Sequence, residues 1–103
     1  MDHKELAIRI ARLREEKGVS ARDMSLSIGQ NPGYINNIET GKSKPSLDGI
    51  FYICEYLGIT PAELFDTENR NPSKLNNIIK DMKRLSDSQL DVIAALMKDL
   101  TRR

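Results

Sequence analysis

Residues 20–41 read SARDMSLSIGQNPGYINNIETG, and the spacing within this stretch decides the fold. Ser20 is a helix N-cap residue whose side-chain oxygen can accept a free N–H of the first turn, with Asp23 at the capping-box-like position three residues on. Met24 and Ile28 follow one turn apart on one face. Ser25, between them, is small enough for a second helix to cross closely above it. Gly29 tolerates the positive φ of a sharp helix-ending turn. Asn31-Pro32 reads as an N-cap followed by a first-turn proline, whose missing N–H costs nothing there. Ile35 and Ile38 give the second helix a buried edge, and Gly41 ends it. The pattern is that of two short helices packed at a steep angle across a tight turn.

On the N-terminal side, Leu6, Ile10 and Leu13 recur at helical spacing over residues 5–17, with charges on the remaining faces. Gly18 ends this helix, and Val19 is expected as a core contact between helices. On the C-terminal side, Lys42-Ser43-Lys44-Pro45 is a polar loop in which proline bars helix continuation. Ser46 caps a fourth helix, 47–57, where Leu47, Ile50, Phe51, Ile53, Cys54 and Leu57 predict a broad apolar face and a well-buried position. Gly58 stops it, and Thr60-Pro61-Ala62-Glu63 is a capping box that opens a short fifth helix through Leu64 and Phe65.

Residues 67–72, TENRNP, carry no apolar periodicity and read as a linker. They separate a first domain, 1–66, from a helical extension, 73–103. In the extension Leu75, Ile78, Ile79, Met82 and Leu85 recur at helical spacing. Ser86, with Gln89 at the box position, caps a last helix along which Leu90, Ile93, Met97 and Leu100 form a seam suited to helix pairing. No β pattern, repeat or low-complexity run interrupts this. The fold class is all-α, with five helices followed by a two-helix extension.

Composition narrows the function. With 103 residues, 39% hydrophobic and 30% charged, the chain is a small helical protein and not a disordered one. It has no apolar run long enough for a membrane span and no signal-peptide core at its start, so a cytoplasmic location without membrane partners is expected. Cys54 is the lone cysteine and His3 the lone histidine. Cys54 reads as a small core residue and His3 as a solvated one. No nucleophile elbow, phosphate loop or metal-ligand cluster accompanies them, so neither enzyme chemistry nor a cofactor is expected. Residues 1–66 carry eight Lys/Arg against ten Asp/Glu, while residues 67–103 carry eight against five. The first segment is not basic overall, although Arg9–Lys17 gathers four positive charges and Lys42 and Lys44 directly follow the helix pair.

The run LAIRIARLREEKGVSARDMSLSIGQNPGYINNIETGKSKPSLDGIFYICEYLGITPAELF, residues 6–65, resembles the Cro/cI-type (XRE-like, lambda repressor-like) helix-turn-helix domain of bacterial and phage transcriptional regulators. The similarity runs in family order, through LRxxKG, the helix pair, IExGKxxPS, a helix ending in LGI, and a short helix with LF. It implies a DNA-binding domain whose second paired helix enters the major groove of double-stranded DNA. Carried onto this chain, the groove-facing positions are Asn31, Pro32, Gly33, Tyr34 and Asn37, with Asn36 beside them. The family often has glutamines here and at the start of the preceding helix, where this chain has Ala21. Pro32 and Gly33 cannot make the bidentate adenine contact of an amide side chain. Asn31 has two readings, base contact or N-cap. Gly33 also has two, close backbone approach to DNA or simple tolerance in a first turn. Tyr34 could stack, touch a thymine methyl or bond a phosphate. Lys42, Lys44 and Arg22 are the expected phosphate contacts. Arg14 and Glu39 match positions that the family often joins as a salt bridge, which gives Glu39 a structural role.

The resemblance implies a transcriptional regulator, expected as a repressor that binds DNA as a homodimer, because a domain with so little net positive charge binds weakly alone. Residues 73–103 are the expected dimerisation segment. Their alternatives are packing onto their own domain, or binding a partner protein in the manner of an antitoxin.

Overall fold

The computed structural model describes residues 1–102, which are helical with short connections and contain no strand. The helices are α1 (His3–Lys17), α2 (Ala21–Ser27), α3 (Tyr34–Glu39), α4 (Leu47–Leu57), α5 (Pro61–Phe65), α6 (Pro72–Met82) and α7 (Asp87–Thr101). Contacts divide the chain into two compact units, 1–73 and 74–103.

Local chemistry sets most helix ends. Asp2 caps α1, its carboxylate accepting the Glu5 N–H at 2.8 Å, and this starts the helix two residues before the apolar periodicity does. Ser20, Ser46 and Thr60 cap α2, α4 and α5 as expected, and Glu63 completes the box of α5. Asp23 does not return the bond to Ser20, so α2 has half a capping box.

The core of the first unit is drawn from every helix of that unit up to α5. Ile10, Met24, Ile35, Ile53 and Leu64 are sealed from solvent, with Leu6, Leu13, Ile38, Cys54, Leu57 and Ile59 around them. Each fully buried side chain of this size contributes roughly 1.5–3 kcal/mol before conformational entropy is subtracted. Val19 packs against this cluster. Cys54 lies within it, its thiol pKa raised by burial and by the charge of Glu63. Pro72, placed by sequence at the end of a linker, opens α6 and is fully buried, and Ser73 donates its hydroxyl to the Leu57 carbonyl at 2.7 Å.

Two expectations need correction. The broad apolar face of α4 is only partly inward, because Leu47 is 68% and Phe51 48% exposed. Ile53, Cys54 and Leu57, with half-buried Ile50, make a stripe that fills the space left by α1 and α5. Leu47 and Phe51, one turn apart, fall beyond the edge of that stripe. The second correction concerns Arg9, which sequence places on a charged surface. It is 4% exposed, and its guanidinium donates to the carbonyls of Leu64, Glu63, Asp66 and Asn69 at 2.7–2.9 Å. Desolvation lowers its pKa, and the nearby Asp66 charge works against that. Arg9 thus binds α1 to the end of α5 and the turn after it, a cation among the free carbonyls that helix ends leave.

The second unit is built of the remainder of α6 and of α7. Ser86 and Gln89 form the full capping box at the start of α7. Met82, Leu85, Leu90 and Ile93 are half-buried, whereas Leu75, Ile78, Ile79, Val92, Leu96, Met97 and Leu100 are exposed. No described residue of this unit is fully buried.

Candidate nucleic-acid interface

The helix pair is joined by more than apolar contact. Ser25, fully buried on α2, donates its hydroxyl to the Ala21 carbonyl at 2.7 Å and accepts the Ile35 N–H at 2.9 Å. Ile35 lies in the first turn of α3, where N–H groups have no partner inside the helix. The N-cap residue Gly33 has no side chain to serve it, so Ser25 caps α3 from the neighbouring helix. Gly29 takes a φ of 76°, and Gln30 N–H reaches back to the Ser25 carbonyl, closing α2 and reversing the chain.

α3 opens later than its sequence suggests. Asn31 does not cap a helix starting at Pro32. Its side-chain oxygen accepts the Gly33 N–H at 3.1 Å, its carbonyl accepts the Tyr34 N–H, and regular helix begins at Tyr34. An Asx-turn has taken the place of the N-cap, a competing use of the same side chain. Asn31 and Pro32 are exposed, and Gly33 is half-buried. A Cβ at Gly33 would stand 3.7 Å from the Asn31 oxygen and 3.8 Å from the Asn37 amide nitrogen, so these three positions form one small surface.

Asn36 is exposed and Asn37 half-buried on α3. Tyr34 turns inward, packing on the core, and its hydroxyl occupies the space where Gly49 of α4 lacks a Cβ. Burial raises its phenol pKa. The ring therefore fixes the start of α3 against α4, a role that sequence reasoning missed because its partner lies fifteen residues on without a local signal.

Charge at the site is sparser than sequence suggests. Of the four cations in Arg9–Lys17, Arg9 is buried and Lys17 sits 5.0 Å from the Tyr56 ring centroid. Arg14 is held by Glu39, Nε to Oε2 at 2.7 Å and Nη2 to Oε1 at 2.9 Å, while Nη1 donates to the Val19 carbonyl. Bonding to Glu39 is the largest influence raising the Arg14 pKa. This pair fixes α3 to α1 and engages both Glu39 oxygens. The exposed cations near the helix pair are Arg22 on α2 and Lys42 and Lys44 in the loop after α3. That loop is not loose: Ser43 N–H donates to the Asn37 carbonyl at 3.1 Å, which keeps both lysines next to the end of α3. Among the described residues, no cluster of His, Cys, Asp and Glu could hold a metal ion, and no helix is long and apolar enough to cross a membrane.

Comparison with known proteins agrees with this geometry. Residues 7–70 match the protein family described as a helix-turn-helix domain. Over 62 residues the chain is 27% identical to the uncharacterized HTH-type transcriptional regulator y4dJ of Sinorhizobium fredii, covering 60% of this chain and 80% of that protein. Among solved structures it is similar to the restriction-modification controller protein C.AhdI of Aeromonas hydrophila. The match has a TM-score of 0.59 and 31% identity, over 62% of this chain and 93% of the controller.

Proposed function

The chain belongs to the Cro/cI-type (XRE-like) helix-turn-helix family of transcriptional regulators, and from that premise we propose that it is a sequence-specific repressor that acts as a homodimer. Membership makes it a DNA-binding regulatory protein and not an enzyme. In the proposed complex α3 and the turn before it enter the major groove. Asn31, Asn36 and Asn37 offer amide groups to base edges, and the backbone at Pro32 and Gly33 comes close to the DNA. Arg22, Lys42 and Lys44 take phosphates, which needs only reach and charge. Tyr34 acts mainly by holding α3 in place.

The observation that carries this reading is the rigid mounting of α3. Ser25 caps it, Arg14 grips its last residue, and Tyr34 wedges its first turn, while the side chain of Asn37 makes no hydrogen bond within the described chain. A preorganised helix with an unused amide on its surface suits readout better than it suits stability alone.

Dimerisation is supported by the second unit, whose seven exposed large apolar side chains and lack of a sealed core leave it unstable as an isolated pair of helices. A second copy would complete a four-helix arrangement. Two reading heads about 34 Å apart would then address a palindromic operator. The same faces favour one other reading, an antitoxin-like module in which a partner protein covers them. The similar protein of solved structure is a restriction-modification controller, and for this chain the corresponding proposal is control of transcription from a promoter, in the cytoplasm.

Selection of bound sequences from random DNA, followed by mobility shift at two salt concentrations and sedimentation of the free protein, tests the proposal. A palindromic consensus with a dimeric free protein is the expected result. Absence of DNA binding at low salt would refute the repressor, and a monomer that dimerises on no DNA would refute the homodimer.

A further inference from the structure

A cleft of about 500 Å³ opens between the first turns of α1 and the end of α3 with the loop that follows it. It is not part of the DNA-reading surface described above, but it shares one residue with it, Lys44. Its walls are mainly apolar, from Leu6, Ala7, Ile8, Ile38 and Pro45. Ile8 is 54% exposed although α1 has ample charged residues for its outer faces. A volume of this size with apolar walls and a few polar groups is typical of small-molecule sites.

The charged groups of the wall that are left without an ion-pair partner have one sign. Lys4 and Lys44 both line the cleft, and neither makes an ion pair among the described residues. Glu39 is the only acidic side chain on the wall, and both its oxygens are bonded to Arg14. Thr40 directs its hydroxyl to the Asn36 carbonyl, so it adds no competing polarity. The uncompensated charge of the cleft is therefore positive over an apolar floor.

We propose that this cleft binds a free small amphipathic anion, a carboxylate with an apolar tail of several carbons. The tail lies against Ala7, Ile8, Ile38 and Pro45, and the carboxylate is held between Lys4 and Lys44. Lys44 cannot serve this carboxylate and a DNA phosphate together, so the bound anion weakens DNA binding. The second half of the proposal rests on the DNA-binding reading, whereas the first half does not.

Sodium octanoate is a suitable probe and octanol its uncharged control. In an amide chemical-shift titration of the full chain, octanoate shifts Ala7, Ile8, Thr40, Gly41 and Lys44 saturably. Octanol binds about tenfold more weakly, the loss of roughly one charge-assisted contact. Ile8→Gln, a neutral polar substitution at an exposed position of α1, keeps the fold and the DNA affinity measured without octanoate but strongly weakens these shifts. Octanoate lowers the affinity of the wild-type protein for its selected DNA several-fold and leaves that of Ile8→Gln nearly unchanged at the same concentration. Equal binding of octanol overturns the anion assignment. Unsaturable shifts, or shifts confined to residues 74–102, overturn the cleft. Saturated binding with unchanged DNA affinity overturns the link to Lys44. A wild-type protein that binds no DNA even without octanoate removes the repressor reading and with it that link, while the titration still decides the cleft.

Discussion

The hydroxyl of Ser25 accepts the backbone N–H of Ile35 at 2.9 Å while donating to the carbonyl of Ala21, so one buried oxygen completes the first turn of α3 from inside α2. Small size explains why a second helix can cross at Ser25, but size alone would equally permit alanine or glycine. The hydrogen bonds distinguish serine from both. The crossing is thus specified by chemistry as well as by volume.

Ser25→Ala should therefore destabilise the protein by about 1–3 kcal/mol, because it strands a buried N–H at Ile35. Urea denaturation of the two proteins measures this. A loss below the lower figure would mean that Ile35 finds another acceptor.

Arg14 and Glu39 have side chains only 16% and 11% exposed, which separates them from an ordinary surface ion pair. Glu39→Ala leaves a mostly buried guanidinium with only the Val19 carbonyl and a longer, 3.9 Å contact to the exposed Glu15 carboxylate, and should cost about 2–3 kcal/mol. Arg14→Lys should cost nearly as much, since an ammonium cannot span both carboxylate oxygens and Val19 in one plane. Thermal unfolding tests both. The Glu39 variant should also lose DNA affinity for every sequence, through the freed end of α3.

Gly49 lies inside α4, where alanine would ordinarily add about 1 kcal/mol of stability. Here a Cβ would strike the Tyr34 hydroxyl. Gly49→Ala should bring no gain, or a loss, and Gly49→Ala with Tyr34→Phe should recover part of the gain, since the Ser46 hydroxyl 3.3 Å away must still give slightly. The non-additivity of this double-mutant cycle is the readout.

The same burial makes a prediction in alkali. The Tyr34 pKa is raised above its ordinary value of 10.0, so the folded state holds that proton more tightly than the unfolded state does. Its contribution to stability is fully present below pH 10.0 and is lost as pH rises through the folded pKa above that. Tyr34→Phe should flatten the alkaline fall of stability measured by urea denaturation across that window.

Helix termini were legible because their rules are local. Ser20, Ser46, Thr60-Glu63 and Ser86-Gln89 place the cap oxygen and the N–H that donates to it three residues apart, and all of them cap in the structure. Asn31 misled for the same reason: an Asn before Pro satisfies the N-cap rule and the Asx-turn rule equally, and only the position of α3 over Ser25 decides between them. The Arg14–Glu39 bridge came from family resemblance, since nothing in twenty-five residues of separation announces it. Arg9 was illegible altogether. Its acceptors are backbone carbonyls 54–60 residues away, and carbonyls carry no residue identity. Two of the cations that made the first helix look basic thus belong to the architecture, Arg9 and Arg14.

That redistribution of charge shapes the last prediction. With Arg9 and Arg14 engaged internally, Lys42 and Lys44 carry a large share of whatever phosphate binding this face achieves, and the Ser43–Asn37 bond holds them beside α3. Replacing both with alanine should weaken binding to all DNA sequences alike. It should also reduce the slope of log affinity against log salt by about two per protomer, as each lost phosphate contact retains its counterion. Asn37→Ala should behave in the opposite manner. Its amide bears no phosphate charge, so the salt slope should hold while preference at one base of each half-site relaxes by about 1–3 kcal/mol. Fluorescence anisotropy on the selected operator and on point-substituted versions, each at several salt concentrations, separates the two effects. If the lysine variant discriminates among sequences, or if Asn37→Ala changes the slope, the division of labour between loop and helix is wrong.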